Sequence, residues 1–129
     1  MIQRQFKLSK EDKKAAQLLA KLGMPKNLAK TLMYLSNVGE GYSVDIEQGT
    51  NLKQPQVSIA IRELLKRNWV DEEISRSRTK GRPRHLYRIK TDLYDIMRDL
   101  EEKKLREIEN IKKDLSELKN LLTEIGNLR

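Results

Sequence analysis

The sequence predicts a mainly α-helical chain with one small β-hairpin and a long C-terminal helix. Three observations lead there. Apolar residues recur every three or four positions through most of residues 9–67, with Gly, Pro or Asn at the breaks. Two short alternating segments then enclose the basic stretch Arg76 to Arg84 of an acid-free window at 75–90, SRSRTKGRPRHLYRIK. Finally, residues 91–125 contain neither Gly nor Pro and carry a heptad pattern in their second half.

Each element has its own signal. Ser9, followed three residues later by Asp12, is a capping-box pattern, and Ala15, Leu18, Leu19 and Leu22 repeat at helical spacing up to Gly23. This gives a first helix over about 9–22. Pro25 suits the first position of a second helix over 25–38, with Leu28, Leu32, Leu35 and Val38 on one face until Gly39 and Gly41 stop it. Ser43 can cap a short helix over 43–49, with Val44 and Ile46 inward, ended by Gly49, Thr50 and Asn51. A fourth helix over 54–67 has Pro55 in its first turn, an apolar stripe of Val57, Ala60, Ile61, Leu64 and Leu65, and Asn68 as a left-handed cap. Trp69 to Ser75 and His85 to Lys90 read as the two strands of the hairpin, with Val70 and Ile74, then Tyr87 and Ile89, turned inward.

The fourth helix leaves Gln54, Gln56, Ser58, Ile59, Arg62 and Glu63 outside if its stripe is buried. Gln pairs a donor with an acceptor and suits adenine edges, Arg suits guanine or phosphate, and Ile59 fits a thymine methyl. Two short helices, a turn, and a second helix opening with polar residues make a helix-turn-helix arrangement. A strand, a basic loop and a returning strand after it make a wing.

Charge points the same way. The chain has 129 residues, 27 Lys plus Arg and 19 Asp plus Glu, for a net charge of +8. Residues 1–74 hold twelve cations and nine acids, residues 75–90 seven and none, and residues 91–129 eight and ten. The excess is therefore concentrated in the window, and a concentrated positive field suits a polyanionic partner.

From about Leu22 to Lys90 the chain resembles winged-helix-turn-helix transcriptional regulators of the MarR, ArsR and TrmB type. The residues that carry the likeness are LGMPKNLAKTLMYL, QPQVSIAIRELLKRNWV and KGRPRHLYRI. The resemblance implies that the helix from about Gln54 enters a DNA major groove, and that the wing lies over the minor groove or backbone through Arg76, Arg78, Lys80, Arg82, Arg84, His85 and Arg88. The Lys-Gly-Arg-Pro-Arg run is also similar to the core of AT-hook peptides, which implies that Arg82 enters a narrow A/T minor groove. Arg76 and Arg78 share parity with Val70 and Ile74, whereas Arg84 and Arg88 lie out of phase with Tyr87 and Ile89. The hairpin is accordingly expected to be positive on both faces. The chain also departs from these families. It has no cysteine for the metal sites of ArsR-type sensors, and at this length no sugar-binding domain of the TrmB type is expected.

The long helix, over about 91–125, spans roughly 50 Å at 1.5 Å per residue. Thr91 or Asp92 can cap it. Ile108, Leu115 and Leu122 fall at heptad position a, and Ile111, Leu118 and Ile125 at d. Leu93, Met97 and Leu100 follow another phase, with a break at EEKK from Glu101 to Lys104, so the first section is expected to dock on residues 1–90 and the section from about 105 to pair with another chain. Glu107 and Asp114 at g face Lys112 and Lys119 at e′ when two copies run parallel.

Other functions are disfavoured. Without cysteine there is no disulfide or thiol chemistry, and a single histidine leaves metal or His-centred catalysis without its residues, so neither an enzyme nor a cofactor is expected. No apolar run reaches 18 residues and MIQRQFKLSK lacks a signal-peptide core, so a cytoplasmic chain without membrane contact is expected. The resulting expectation is a winged-helix domain over 1–90 and a dimerisation helix over 91–129, binding double-stranded DNA at an inverted repeat as a homodimer. No motif specifies an effector. A winged-helix module that binds an acidic protein of the transcription machinery and an architectural chromatin protein are the rival readings.

Overall fold

The computed structural model describes residues 6–75 and 84–128. Its elements are α1 (Lys10–Lys21), α2 (Lys26–Val38), β1 (Glu40–Tyr42), α3 (Ser43–Thr50), α4 (Gln54–Lys66), β2 (Val70–Ser75), β3 (Arg84–Ile89) and α5 (Leu93–Asn127). Residues 1–93 form one compact unit and residues 94–129 another.

The helices of the first unit start and stop where local chemistry tells them to. At α1, the Asp12 N–H donates to Ser9 Oγ at 3.0 Å and the Ser9 N–H to Asp12 Oδ2 at 2.9 Å, which satisfies two otherwise orphaned donors. Asp12 Oδ1 also accepts from Asn37 Nδ2 at 3.1 Å, tying α1 to the end of α2. Pro25 is the cap of α2 rather than its first residue, and Gly39 ends that helix at φ 88°, open to glycine without a Cβ clash. Asn51 after α3 and Asn68 after α4 take left-handed conformations at φ 61° and 64°, the region Asn tolerates best among non-glycine residues.

α2 packs against α1, α3 and α4, and α3 packs against α4. Leu28, Leu32 and Leu35 of α2, Ile46 of α3, and Val57 and Leu64 of α4 are essentially inaccessible to water. Each such side chain contributes roughly 2 kcal/mol by burial. Tyr34 fills the space between α2 and α3, and the chain before α1 crosses it, with Phe6 at 5.9 Å between ring centroids and Leu8 N donating to Gly49 O at 3.1 Å.

Several local expectations are corrected. Val44 is 45% exposed while Ile46 is fully buried, because residues two apart on a helix lie about 200° apart around it and cannot share an inward face. Tyr42, not Ser43, caps α3, its N–H donating to Asp45 Oδ2 at 3.0 Å. Leu18 of α1 and Leu22 at its C-cap stay half exposed, and Ala16 supplies the buried contact.

The hairpin becomes part of a three-stranded antiparallel sheet of order β1-β3-β2. β1 pairs Glu40 with Arg88, Gly41 with Tyr87 and Tyr42 with Leu86, while β2 pairs Val70 with Ile89, Glu72 with Tyr87 and Ile74 with His85. The first strand was not expected from sequence, where Gly39 and Gly41 read only as a stop. Val70 is buried, but Ile74, expected inward, is 55% exposed: it lies farther along the hairpin, where its cross-strand partner is the exposed His85. In the second unit, α5 is a 35-residue helix. Among the described residues no helix is long and apolar enough to cross a membrane.

Candidate nucleic-acid interface

The helix-turn-helix is α3, the turn at Asn51–Lys53, and α4. α4 turns Val57, Ala60, Ile61 and Leu64 into the core and leaves Gln54, Gln56 and Arg62 exposed on its other side, with Ser58 half buried. Ile59 stands among them with 65% of its surface in water. An apolar side chain that exposed, ringed by amide and guanidinium groups, presents a mixed surface of the kind that base edges complement.

The two glutamines are not idle. Gln56 Oε1 accepts from the Lys53 N–H at 2.9 Å and so caps α4, whose first turn has Pro55 in it and no acid. Gln54 Nε2 donates to Ser58 Oγ at 3.0 Å, one turn away. Gln56 thus keeps its amide donors for a ligand while its acceptor serves the helix. Reading adenine through both groups at once would require Oε1 to accept a second hydrogen bond beside the cap. At the far end of α4, Arg67 pairs with Glu63 at 2.7 Å and lies 5.0 Å from the Trp69 ring centroid. The hydrogen bond from Arg67 holds the Glu63 carboxyl below the usual carboxylate range.

The hairpin cations are more engaged than the sequence suggests. On one face of the sheet, Arg88 donates to Glu40 of β1 at 2.9 Å and reaches Glu73 of β2 at 3.3 Å. These bonds, the one to Glu40 foremost, push its already high pKa further up. Arg84 lies over the Tyr42 ring at 4.1 Å, a cation–π arrangement that aims and supports the guanidinium. On the other face, His85 Nδ1 meets Glu72 Oε2 at 2.6 Å and its ring stacks on Tyr87, with 6.4 Å between centroids and 15° between planes. Burial first, and then the Glu72 charge, push the Tyr87 hydroxyl pKa up. Lys90 pairs with Asp71 at 3.1 Å.

The acids missing from residues 75–90 are therefore delivered by the neighbouring strands. Glu40, Asp71, Glu72 and Glu73 stand beside Arg88, Lys90 and His85, and the base of the hairpin is close to charge-balanced. Sequence reasoning missed Tyr42 as the platform of Arg84, and no local signal could have found it, since the two residues are 42 positions apart and meet only through the pairing of β1 with β3. Arg76, Arg78, Lys80 and Arg82 lie outside the described residues.

The six heptad residues Ile108, Ile111, Leu115, Leu118, Leu122 and Ile125 are each 44–58% exposed on α5, with Leu105 and Leu121 similarly uncovered beside them. Among the described residues no cluster of three His, Cys, Asp or Glu side chains is placed to hold a metal ion.

Over 92% of its length the chain superposes on TrmBL2, an archaeal chromatin protein whose structure shows a novel mode of DNA binding, with a TM-score of 0.60 and 18% identity. The fold is a winged helix. The chain spans 46% of the TrmBL2 chain. Weaker likenesses link it to MepR, a transcription regulator of the Staphylococcus aureus multidrug efflux pump MepA, at a TM-score of 0.48 and 18% identity over 92% of this chain and 91% of that one. They also link it to a PadR family transcription regulator from Clostridium difficile, at 0.46 and 14% over 68% and 96%. No family model matches the sequence, and no curated protein does. In this fold α4 is the second helix of the helix-turn-helix, and β2 and β3 are the strands of the wing hairpin.

Proposed function

We propose that this winged helix is a sequence-specific, double-stranded DNA-binding transcriptional regulator that acts as a homodimer. The observation that carries the reading is the outward face of α4, where Ile59 and Arg62 are exposed opposite a fully buried stripe and Gln54 and Gln56 flank it, exposed, at the helix start. Arg62 and the free donors of Gln56 read base edges, Ile59 packs on a thymine methyl, and Gln54 and Ser58 act as one hydrogen-bonded pair at the helix start. Arg84 and the window residues Arg76, Arg78, Lys80 and Arg82 supply sequence-tolerant contacts to phosphate or the minor groove. Arg88 and His85, engaged with acids of the sheet, hold the wing's shape first and touch DNA second.

The exposed heptad stripe supports pairing with a second copy. Ile108, Leu115 and Leu122 at a and Ile111, Leu118 and Ile125 at d form the seam of a parallel coiled coil, with g to e′ charges of opposite sign. A two-fold dimer sets the recognition helices about 34 Å apart, or a multiple of it, on an inverted repeat. Selection of bound fragments from random DNA tests the reading: a palindromic consensus is expected, and a pool with no enrichment would sink it.

A second reading has support of its own. Internal hydrogen bonds occupy part of both glutamines, which favours shape and phosphate recognition over base readout, and TrmBL2 is a chromatin protein. An A/T bias without a palindrome in the same selection identifies this architectural role.

A further inference from the structure

The charge of residues 1–74 is not evenly spread. Residues 1–39 hold eight cations and two acids, whereas residues 40–74 hold four and seven, so the small overall excess conceals a second basic region. It lies on α1 and the start of α2. Lys10, Lys14, Gln17 and Lys21 follow one another at i, i+4, i+7 and i+11, which places them on a single stripe of α1 within about 60° of arc.

The stripe borders a groove. Lys13, Lys21, Lys26 and Lys30 line a cleft of about 530 Å³ between α1 and α2, floored by Ala16 and Ala20. A shallower hollow of about 460 Å³ continues it past Lys10 and Lys14, the two sharing Lys13 and Gln17. Glu11 is the acid on its edge, and none of the six lysines forms an ion pair with a described acid. Asp12 is turned away, its carboxylate bound by Ser9 and Asn37. α2 begins here without a side-chain cap or an acid in its first turn. No residue of α3, α4 or the sheet lines either part of the trough.

We infer that the lysine-lined trough between α1 and α2 is a second DNA surface that grips the phosphate backbone of another DNA segment while α4 and the wing hold the first. The inference rests on the DNA-binding reading above and extends it to bridging. Three features favour DNA over an acidic protein. The trough is linear, and α1 alone runs about 18 Å, room for about three successive phosphates of one strand. Its cations are all lysines, point charges that meet phosphate without demanding a fixed geometry. Its floor is alanine, with nothing that would read a base or fill a hydrophobic pocket on a protein partner.

The test uses the full chain and two duplexes of about 20 base pairs, two helical turns each. One duplex is on beads and the other is fluorescent in solution, and affinity for a single duplex is followed in parallel by anisotropy. The comparison is between the parent, a quadruple variant (Lys14→Gln, Lys21→Gln, Lys26→Gln, Lys30→Gln) and Arg62→Ala. Gln keeps helix propensity, so circular dichroism should match the parent. The parent should capture the second duplex, and the quadruple variant should lose that capture by about tenfold or more while keeping single-duplex affinity within about threefold. Undiminished capture by the quadruple variant, or a parent that binds one duplex and never a second, overturns the inference and leaves α4 as the DNA surface if Arg62→Ala still weakens binding. Loss of all DNA binding in the quadruple variant with none in Arg62→Ala keeps the trough as a DNA site and overturns the α4 reading instead. A parent that binds poly-glutamate and no DNA overturns both.

Discussion

Gly49 shows how a single residue can carry a packing decision. A Cβ at that position would stand 2.1 Å from Cε1 and 2.4 Å from Cδ1 of Tyr34, and 2.9 Å from the Phe6 carbonyl oxygen. Tyr34 is itself only 1% exposed and cannot swing aside. Gly49→Ala should therefore cost about 3 kcal/mol or more in urea denaturation, whereas Gly41→Ala, whose nearest neighbour is at 3.4 Å, should cost no more than about 1 kcal/mol. Equal effects at the two sites would show that α3 shifts to make room. Asp12 gives a pH-dependent counterpart. Burial pushes its carboxyl up, but hydrogen bonds from the Ser9 N–H, Asn37 and the Ser9 hydroxyl outweigh burial and leave the pKa below the ordinary value. A group lowered in the folded state contributes stability that is present above its unfolded pKa and lost as pH falls through the folded one. Asp12→Ala should lower stability by about 1 kcal/mol at pH 7, with the gap from the parent closing as the solution is acidified below the carboxylate range. A pH-independent gap would mean that the cap acts through packing alone. Residues whose role is settled within four positions, such as Ser9, Asp12 and Asn68, were legible in the sequence. Gly49 read only as a helix stop, because its real constraint comes from Tyr34, fifteen residues earlier and on another helix.

At the scale of elements, the same division holds. The helices announce themselves by their own periodicity, and α4 runs Gln54–Lys66 where Pro55 and the stripe from Val57 to Leu64 point. β1 is three residues long and exists because Arg88, Tyr87 and Leu86 of β3 are there to pair with it, information absent from the segment Glu40–Tyr42 itself. The charge at the base of the hairpin depends on partners in the same way: counting along residues 75–90 finds seven cations without an acid, and the register sets Glu40 and Glu73 against Arg88, Asp71 against Lys90 and Glu72 against His85. α5 presents the reverse case, an element whose pattern has outlasted its local use. Its apolar stripe from Ile108 to Ile125 lies open to water, and burying it between two copies is what the heptad spacing suits. If two copies pair along this seam, Leu115→Ala removes a Leu from it in each copy, about 4 kcal/mol in all, and should weaken self-association by about a thousandfold in sedimentation equilibrium. Glu107→Lys should cost far less, since an exposed pair is worth well under about 1 kcal/mol and Glu107 already has Lys104 at 3.1 Å on its own helix. A chain that stays dimeric after Leu115→Ala would move the interface off this seam.

For the whole molecule, the distribution of uncompensated charge decides how binding responds to salt. If each protomer neutralises about four phosphates, log K should fall with log salt at a slope of about −7 for the dimer, and a slope near zero would remove DNA as the partner. On the DNA-binding reading, a cation contributes to that slope only where the fold leaves its charge unpaired. Arg62 is exposed on α4 with no described acid paired to it, and in a groove its charge would lie between two phosphate walls, so Arg62→Ala should reduce the slope by up to about 1 for each protomer that contacts DNA and should narrow the difference in affinity between selected and random sites. Arg88 is bonded to both Glu40 and Glu73, so little of its charge is available to displace counterions from DNA. Arg88→Met should leave the slope nearly unchanged and lower stability by less than about 1 kcal/mol, since the pairs it breaks are exposed. The two substitutions remove the same formal charge from the same winged helix and differ only in whether that charge is already neutralised in the fold. Equal losses of slope would show that the sheet's acids release Arg88 on binding, and that the wing rearranges on DNA rather than docking as built.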